Sequence, residues 1–299
     1  MRKDVLAFVG MMMAECAQTG LMIAGKAAMS DGMSNFVFVF YSNALASLLL
    51  LPSSYIFYRS RRPPLTFPIL CSFFILGFIG FLVQFIAYAG IFYSSPTLGT
   101  AMLNLIPGLT FILAVIFRME RLEWRSFSSI AKSVGTVLSI TGAFIVTFYK
   151  GLPLLMTSSM SKSSRLLLLQ LSEWVTGGLL LAISCVLASA WLIIQASVLK
   201  KYPLALIVVS YYCLFVAIQS AIVSLVMERD LSAWSLKPKV RLIAVSYSAV
   251  FGSAFQVTVS AWCLHQTGPV FVSMFKPLGI IIAVAVGVIF SGDTFYLGR

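Results

Sequence analysis

Residues 69–92 read ILCSFFILGFIGFLVQFIAYAGIF and contain no charged side chain. A helix needs about 20 residues to cross the hydrocarbon core of a bilayer, and this run is long enough. Barrel strands show alternation over roughly ten residues, which this continuously apolar run lacks. It therefore predicts a membrane-spanning helix.

The composition of the whole chain also indicates a membrane protein. Of the 299 residues, 60% are apolar and 10% are charged, and the mean hydropathy is +0.99. Soluble domains carry about a quarter charged residues. Most of the chain therefore cannot face water, which excludes a soluble enzyme, a secreted disulfide scaffold and a disordered tail.

Further apolar runs of similar length predict an all-α, polytopic membrane protein. The first run is too long for the apolar core of a signal peptide, so it is read as a retained helix. Nine spans are expected, at 5–25, 36–58, 69–92, 99–117, 130–149, 174–198, 204–227, 242–264 and 268–290.

The net charge of +12 is concentrated in short segments between these runs. Such segments set orientation and contact anionic lipid headgroups. In the first half the basic residues predict a cytoplasmic N-terminus, whereas Arg229, Lys237, Lys239 and Arg241 fall on the opposite side and conflict with that orientation. With no soluble basic domain, nucleic acid is not expected as a partner.

A faint duplication suggests two halves. Gly80 and Gln84 recur 172 positions later as Gly252 and Gln256, Pro107 recurs 170 positions later as Pro277, and Gln18 recurs 177 positions later as Gln195. The expected division is a first repeat at 1–149, a linker at 150–173 and a second repeat at 174–299. Five helices per repeat require opposite orientations, the inverted plan of many transporters. The tenth helix is then missing.

Two charged side chains within the spans are functional candidates by default. Glu15 lies near the middle of the first span, where it is either a proton or substrate-amine site or a protonated carboxyl bonded to a neighbouring helix. Lys276 lies about 12 Å below the interface at 1.5 Å per residue. It either faces a cavity or extends its side chain to the interface. Lys132, near the start of the predicted span at 130–149, is a third charged residue.

Polar side chains and helix interruptions complete the candidate site. Pro107 and Pro277 are expected to kink corresponding helices, which is the best sequence indication of a central site. The alternative explanation for the polar residues is helix–helix packing. The expected substrate-binding residues are Glu15, Gln18, Gln84, Tyr88, Asn104, Gln195, Gln256 and Lys276.

Other chemistries are not expected. The chain has a single histidine, His265, and therefore no histidine cluster for a metal or haem site. It lacks the P-loop motif of nucleotide hydrolysis, and its aspartates lie outside the spans. No enzyme activity, cofactor or metal is predicted.

Several motifs resemble those of plant nodulin-21-like, Walls-Are-Thin-related proteins, which are EamA-type members of the drug/metabolite transporter superfamily. The likeness runs along nearly the whole chain. Its motifs are KAAMSDGMS at 26–34, YSN at 41–43, AMLNLIPG at 101–108 with Arg118 and Glu120, KSVGT at 132–136 and GPVFVSMFKPLG at 268–279.

The resemblance implies ten helices in two inverted EamA repeats. It also implies facilitated movement or export of amino acids, auxin or related metabolites across the plasma or vacuolar membrane. The predicted function is transport of a small solute by alternating access. The alternatives are a truncated, non-transporting protein that pairs with full-length homologues, as a homo- or hetero-oligomer, and a membrane receptor or scaffold.

Overall fold

The computed structural model describes residues 2–59, 63–93, 102–119, 164–230 and 232–279, together with a few isolated positions between 130 and 141 and residue 282. Within these ranges the regular structure is helical and includes no strand.

The first part of the chain forms α1 (Arg2–Ser30), α2 (Asn35–Phe57), α3 (Phe67–Tyr93) and α4 (Leu105–Ile116). The later part forms α5 (Ser164–Lys201), α6 (Ala205–Met227), α7 (Lys239–Tyr247), a π-helical segment (Ser248–Gln256), α8 (Val257–Thr267) and α9 (Pro269–Ser273). The helical run from Lys239 to Thr267 is continuous.

Among the described residues, six helices are long and apolar enough to cross a membrane, and they match six predicted spans. α4 is shorter than the predicted span at 99–117. The predicted span at 130–149 lies largely outside the described residues, and the span at 268–290 is described mainly up to residue 279. The described part of the chain is therefore all-helical and the protein is multi-pass, and the count of nine stays a prediction.

α5 begins earlier than expected. It starts at Ser164, so its first ten residues occupy the end of the predicted linker at 150–173. The physical reason is the leucine run at 166–169, because leucine is a strong helix former.

Packing between the helices follows a regular scheme. α2 packs against α6, and α3 packs against both α5 and α6. α1 packs along α7, the π-helical segment and α8, while α2 also contacts the π-helical segment. α4 packs against α5 and α9.

Large apolar side chains cover the outside of this bundle. Leu48, Ile56, Phe57, Ile243 and Leu225 are all more than half exposed. A soluble monomer rarely exposes contiguous apolar surface of this kind. In a bilayer these side chains face acyl chains, which agrees with the multi-pass assignment.

Arg241 joins two turns at one end of the bundle. Its side chain is buried, its Nε donates to Asp31 Oδ2 at 2.9 Å, and its Nη2 donates to the Asp31 carbonyl. Its Nη1 donates to the carbonyls of Ser232 at 2.9 Å and Ser235 at 3.2 Å. One of the basic residues that conflicted with the predicted orientation is thus neutralised by a partner within the protein.

Candidate functional site

The two charged residues singled out by the sequence contact each other. Lys276 Nζ donates to Glu15 Oε1 at 2.8 Å. The Glu15 residue is 1% exposed and the Lys276 side chain 19% exposed. The lysine side chain therefore points at the carboxylate, which is paired with a cation from a distant part of the sequence.

At this ion pair the backbone of α1 lies close to the backbone of residues 276–279. Thr19 Oγ1 lies 3.0 Å from the Glu15 carbonyl and 3.3 Å from the Gly279 carbonyl, so it can donate to either. A Cβ added at Gly279 would lie 3.1 Å from Glu15 Oε2. Glycine at 279 therefore allows the helix that carries Lys276 to lie directly against the carboxylate of α1.

The backbone is interrupted beside Lys276. Residues 274–275 form a turn after α9, helical conformation resumes at 276–279, and Pro277 has no N–H to donate. The Leu278 N–H donates instead to the Phe275 carbonyl at 3.0 Å. Pro277 thus lies just after a turn in the backbone, next to the lysine of the ion pair.

The other predicted interruption, at Pro107, falls in the first turn of α4, where helical N–H groups have no intrahelical partner. Asn104 immediately precedes this helix. Two side chains of α5 reach the carbonyls here: Cys185 Sγ donates to Met102 at 3.2 Å and Ser189 Oγ to Ile106 at 3.3 Å. Polar groups of α5 therefore hold the beginning of α4.

Gln84 is bonded to a tyrosine that the sequence reasoning did not select. Its Nε2 donates to Tyr212 Oη at 3.4 Å. A Cβ added at Gly80 would lie 2.5 Å from Tyr212 Cε2, so only glycine leaves room for this ring. Trp191 packs on Tyr212 with the ring centroids 5.5 Å apart. The sequence signal was the glycine one turn before the glutamine, which indicates close approach of a neighbouring side chain.

The remaining amides occupy different environments. Gln195 on α5 is fully buried, and neither of its amide atoms has a hydrogen-bond partner among the described residues. Gln256 is buried at the end of the π-helical segment, and Gln18 is half-buried on α1. In the part of the chain that the structure describes, no hydrogen bond joins either to Glu15 or Lys276. The Tyr88 side chain and Lys132 lie outside the described part.

A cavity of about 200 Å³ opens between α2 and α3. Its wall is mainly aromatic and includes Phe36, Phe81, Phe85 and Tyr93, with the Phe36 and Phe85 rings 5.4 Å apart. Gln84 also lines it. Among the residues that the structure describes, no charged side chain lines this cavity, whereas the charged pair belongs to α1 and the segment after α9.

Comparison with known proteins places these features in a family. A model of the EamA-like transporter family matches residues 5–148. WAT1-related protein At5g40240 of Arabidopsis thaliana is 46% identical over 99% of this chain and 82% of its own length. WAT1-related protein At3g28050 of the same plant is 44% identical over 99% of this chain and 81% of its own length.

The fold is also found in a solved crystal structure, which superposes with a TM-score of 0.64 over 98% of this chain and 91% of that chain. At 16% identity this likeness concerns the fold alone. The predicted family is confirmed by the sequence matches. The chain belongs to the WAT1-related proteins, and its residues 5–148 match the EamA-like transporter family.

Proposed function

We propose that this protein is a transmembrane transporter that moves small metabolites, such as amino acids or auxin, across the plasma or vacuolar membrane by alternating access. The observation that carries the proposal is the buried Glu15–Lys276 pair. Charged groups at membrane depth are costly, and they typically mark substrate or ion pathways.

The packing scheme supports two related halves. By position in the two halves, α1 corresponds to α5, α2 corresponds to α6, and α3 corresponds to the run from Lys239 to Thr267. When corresponding helices are exchanged, the contact between α3 and α5 becomes the contact between that run and α1. The same exchange converts the α3–α6 contact into the contact of that run with α2, and it maps the α2–α6 contact onto itself. An inverted repeat produces such paired contacts, and it allows one half to rock against the other.

In this proposal Glu15 and Lys276 alternate between bonding each other and binding the solute. A zwitterionic solute has an ammonium group that suits Glu15 and a carboxylate that suits Lys276, so the solute can replace the bond between the two side chains. Gln18, Gln84, Tyr88, Asn104, Gln195 and Gln256 supply hydrogen bonds along the pathway, and Pro107 and Pro277 keep the helices interrupted near it.

The test is efflux from proteoliposomes preloaded with labelled amino acids or indole-3-acetic acid. We compare the wild-type chain with Glu15→Gln, Lys276→Met and the double variant at equal reconstituted amounts. Efflux of at least one compound by the wild type, reduced tenfold or more in each single variant, is expected. A correctly folded wild type that releases no compound above empty liposomes contradicts the proposal.

A further inference from the structure

We propose that Thr19 is a positioning residue for the ion pair between Glu15 and Lys276. When its hydroxyl donates to the Gly279 carbonyl, it holds the segment at 276–279 against α1. When the hydroxyl turns to the Glu15 carbonyl instead, that segment can move away. The inference rests on the proposed transport function and deepens it, because it names the group that controls when a solute can replace the bond between the two charged side chains.

The contacts between α1 and this segment lie on matching faces of two helical turns. Glu15 and Thr19 are four residues apart on α1, and Lys276 and Gly279 are three residues apart. Residues at these spacings lie on one face of a helix. Lys276 Nζ donates to Glu15 Oε1 at 2.8 Å, and Thr19 Oγ1 lies 3.3 Å from the Gly279 carbonyl oxygen. The ion pair and the threonine hydroxyl therefore connect the same two turns.

The Thr19 hydroxyl has one proton and two acceptors within reach. Its Oγ1 lies 3.0 Å from the Glu15 carbonyl oxygen and 3.3 Å from that of Gly279. Thr19 is 2% exposed, and most buried hydroxyls in proteins are hydrogen-bonded. A threonine in a helix occupies two rotamers because its Oγ1 can bond a carbonyl of the preceding turn. The hydroxyl thus has a partner in either arrangement, so exchange between the two bonds leaves no buried donor unsatisfied.

The segment at 276–279 depends on bonds from its neighbours. It follows a turn at 274–275, and Pro277 has no N–H to donate. A Cβ added at Gly279 would lie 3.1 Å from Glu15 Oε2, so glycine at this position lets the segment approach α1 closely. Because an interrupted turn makes fewer bonds of its own, a hydrogen bond from Thr19 helps to fix its distance from α1.

This geometry gives the hydroxyl a role in the exchange of the ion pair for a solute. While Thr19 donates to Gly279, the Lys276 ammonium group stays beside the Glu15 carboxylate, and a solute has to compete with the intact pair. When the hydroxyl turns to its own helix, the segment is held by one bond fewer and the pair opens more readily. Loss of the hydroxyl should therefore change the affinity for the solute as well as the stability of the fold.

The first experiment is a double-mutant cycle that needs no solute. Thr19→Val keeps the branched shape of the side chain and removes the hydroxyl. The shift that it causes in the SDS midpoint in mixed micelles is measured in the wild-type chain and in Glu15→Gln/Lys276→Met, which lacks the pair. Groups that act together are coupled, so the shift is expected to be about twice as large when the pair is present. Equal shifts in the two backgrounds, or no shift in the wild-type background, overturn the proposal.

Thr267 provides the matched control for this cycle. Its Oγ1 donates to the carbonyl of Cys263, four residues earlier on α8, at 2.8 Å. Among the described residues its hydroxyl makes no bond to another helix, so it has only the local bond that Thr19 can also make. Thr267→Val should therefore shift the midpoint equally in the two backgrounds. A dependence on the ion pair as large as that of Thr19→Val would show that the coupling is not specific to Thr19 and would contradict the proposal.

The second experiment measures efflux of the labelled amino acids from proteoliposomes over a range of internal concentrations. Thr19→Val is expected to lower the half-saturating concentration about threefold, because the state in which the pair is open is more populated. Thr19→Ser keeps the hydroxyl and should remain near the wild-type value. A merely structural role would lower the maximal rate alone. An unchanged half-saturating concentration in Thr19→Val, or an equal decrease in Thr19→Ser, contradicts the proposal.

The two experiments separate failure of this inference from failure of the transport function. Coupling between Thr19 and the ion pair, in a chain that releases no tested compound, supports the positioning role and contradicts the transport proposal. Efflux that depends on Glu15 and Lys276, without coupling of either to Thr19, supports transport and overturns the positioning role.

Discussion

Lys276 illustrates what a single residue in a sequence can and cannot indicate. Its position within an apolar run predicted a functional group, as did that of Glu15, because charges at membrane depth are rare. Their pairing was not predicted, since the two residues are 261 positions apart and no local pattern connects them. Tyr212 was missed for a similar reason: its role depends on the space above Gly80, which only the packed structure reveals.

Removal of the lysine tests the energetic importance of the pair. Lys276→Met leaves the Glu15 carboxylate buried without its cation, so we expect the free energy of unfolding to fall by about 3–5 kcal/mol. The measurement is an SDS titration in mixed micelles. The double variant Glu15→Gln/Lys276→Met removes both charges and should recover part of the loss. A double variant as unstable as the sum of the single variants would refute this account.

Gly80→Ala tests the close approach of Tyr212. The new methyl group would lie 2.5 Å from Tyr212 Cε2, so the ring must move and its bond to Gln84 is lost. Overpacking of this kind costs about 1–3 kcal/mol, measured as a lower thermal midpoint in detergent. Gly135→Ala is the control because an added Cβ there meets no atom of the described residues within 4 Å. Equal midpoints for the two variants would show that the ring is not constrained.

At the level of elements, the apolar runs predicted which segments are helices better than where the helices begin. The six long helices agree with predicted spans, because helix length follows from bilayer thickness. The early start of α5 and the π-helical segment at Ser248–Gln256 were not expected. A π-helical segment depends on local backbone packing, which hydropathy does not report.

The link between the α1–α2 turn and the start of α7 depends on Arg241. Arg241→Gln removes its ion pair with Asp31 and its hydrogen bonds to the carbonyls of Ser232 and Ser235. Each lost hydrogen bond to a charged group lowers the free energy of unfolding by at most about 1.5–3 kcal/mol. We therefore expect the thermal midpoint of the variant to be several degrees lower. Lys239→Gln, on the exposed surface, is the control. An unchanged midpoint for Arg241→Gln would contradict this role.

At the level of the whole molecule, the chain's membrane class followed from composition, and its family followed from motifs. The number of spans and the repeat division stay predictions, because residues 120–129 and 142–163 lie outside the described part. The orientation stays a prediction as well, but the structure reduces the conflict in its charge pattern. Arg241 is neutralised by Asp31, so it contributes less to the charge asymmetry than a free basic residue.

The final prediction concerns that orientation. The turn at 31–34 and the segment at 232–238 lie at one end of the bundle because Arg241 bonds both. Tyr202 Oη donates to the Pro63 carbonyl at 3.4 Å, which joins the α2–α3 and α5–α6 connections. With the N-terminus in the cytoplasm, a cysteine introduced at exposed Lys237 should react with a membrane-impermeant maleimide in intact cells. A cysteine introduced at exposed Lys200 should react only after the cells are permeabilised. The wild type is the control for its five native cysteines, and the reverse labelling pattern would place the N-terminus outside.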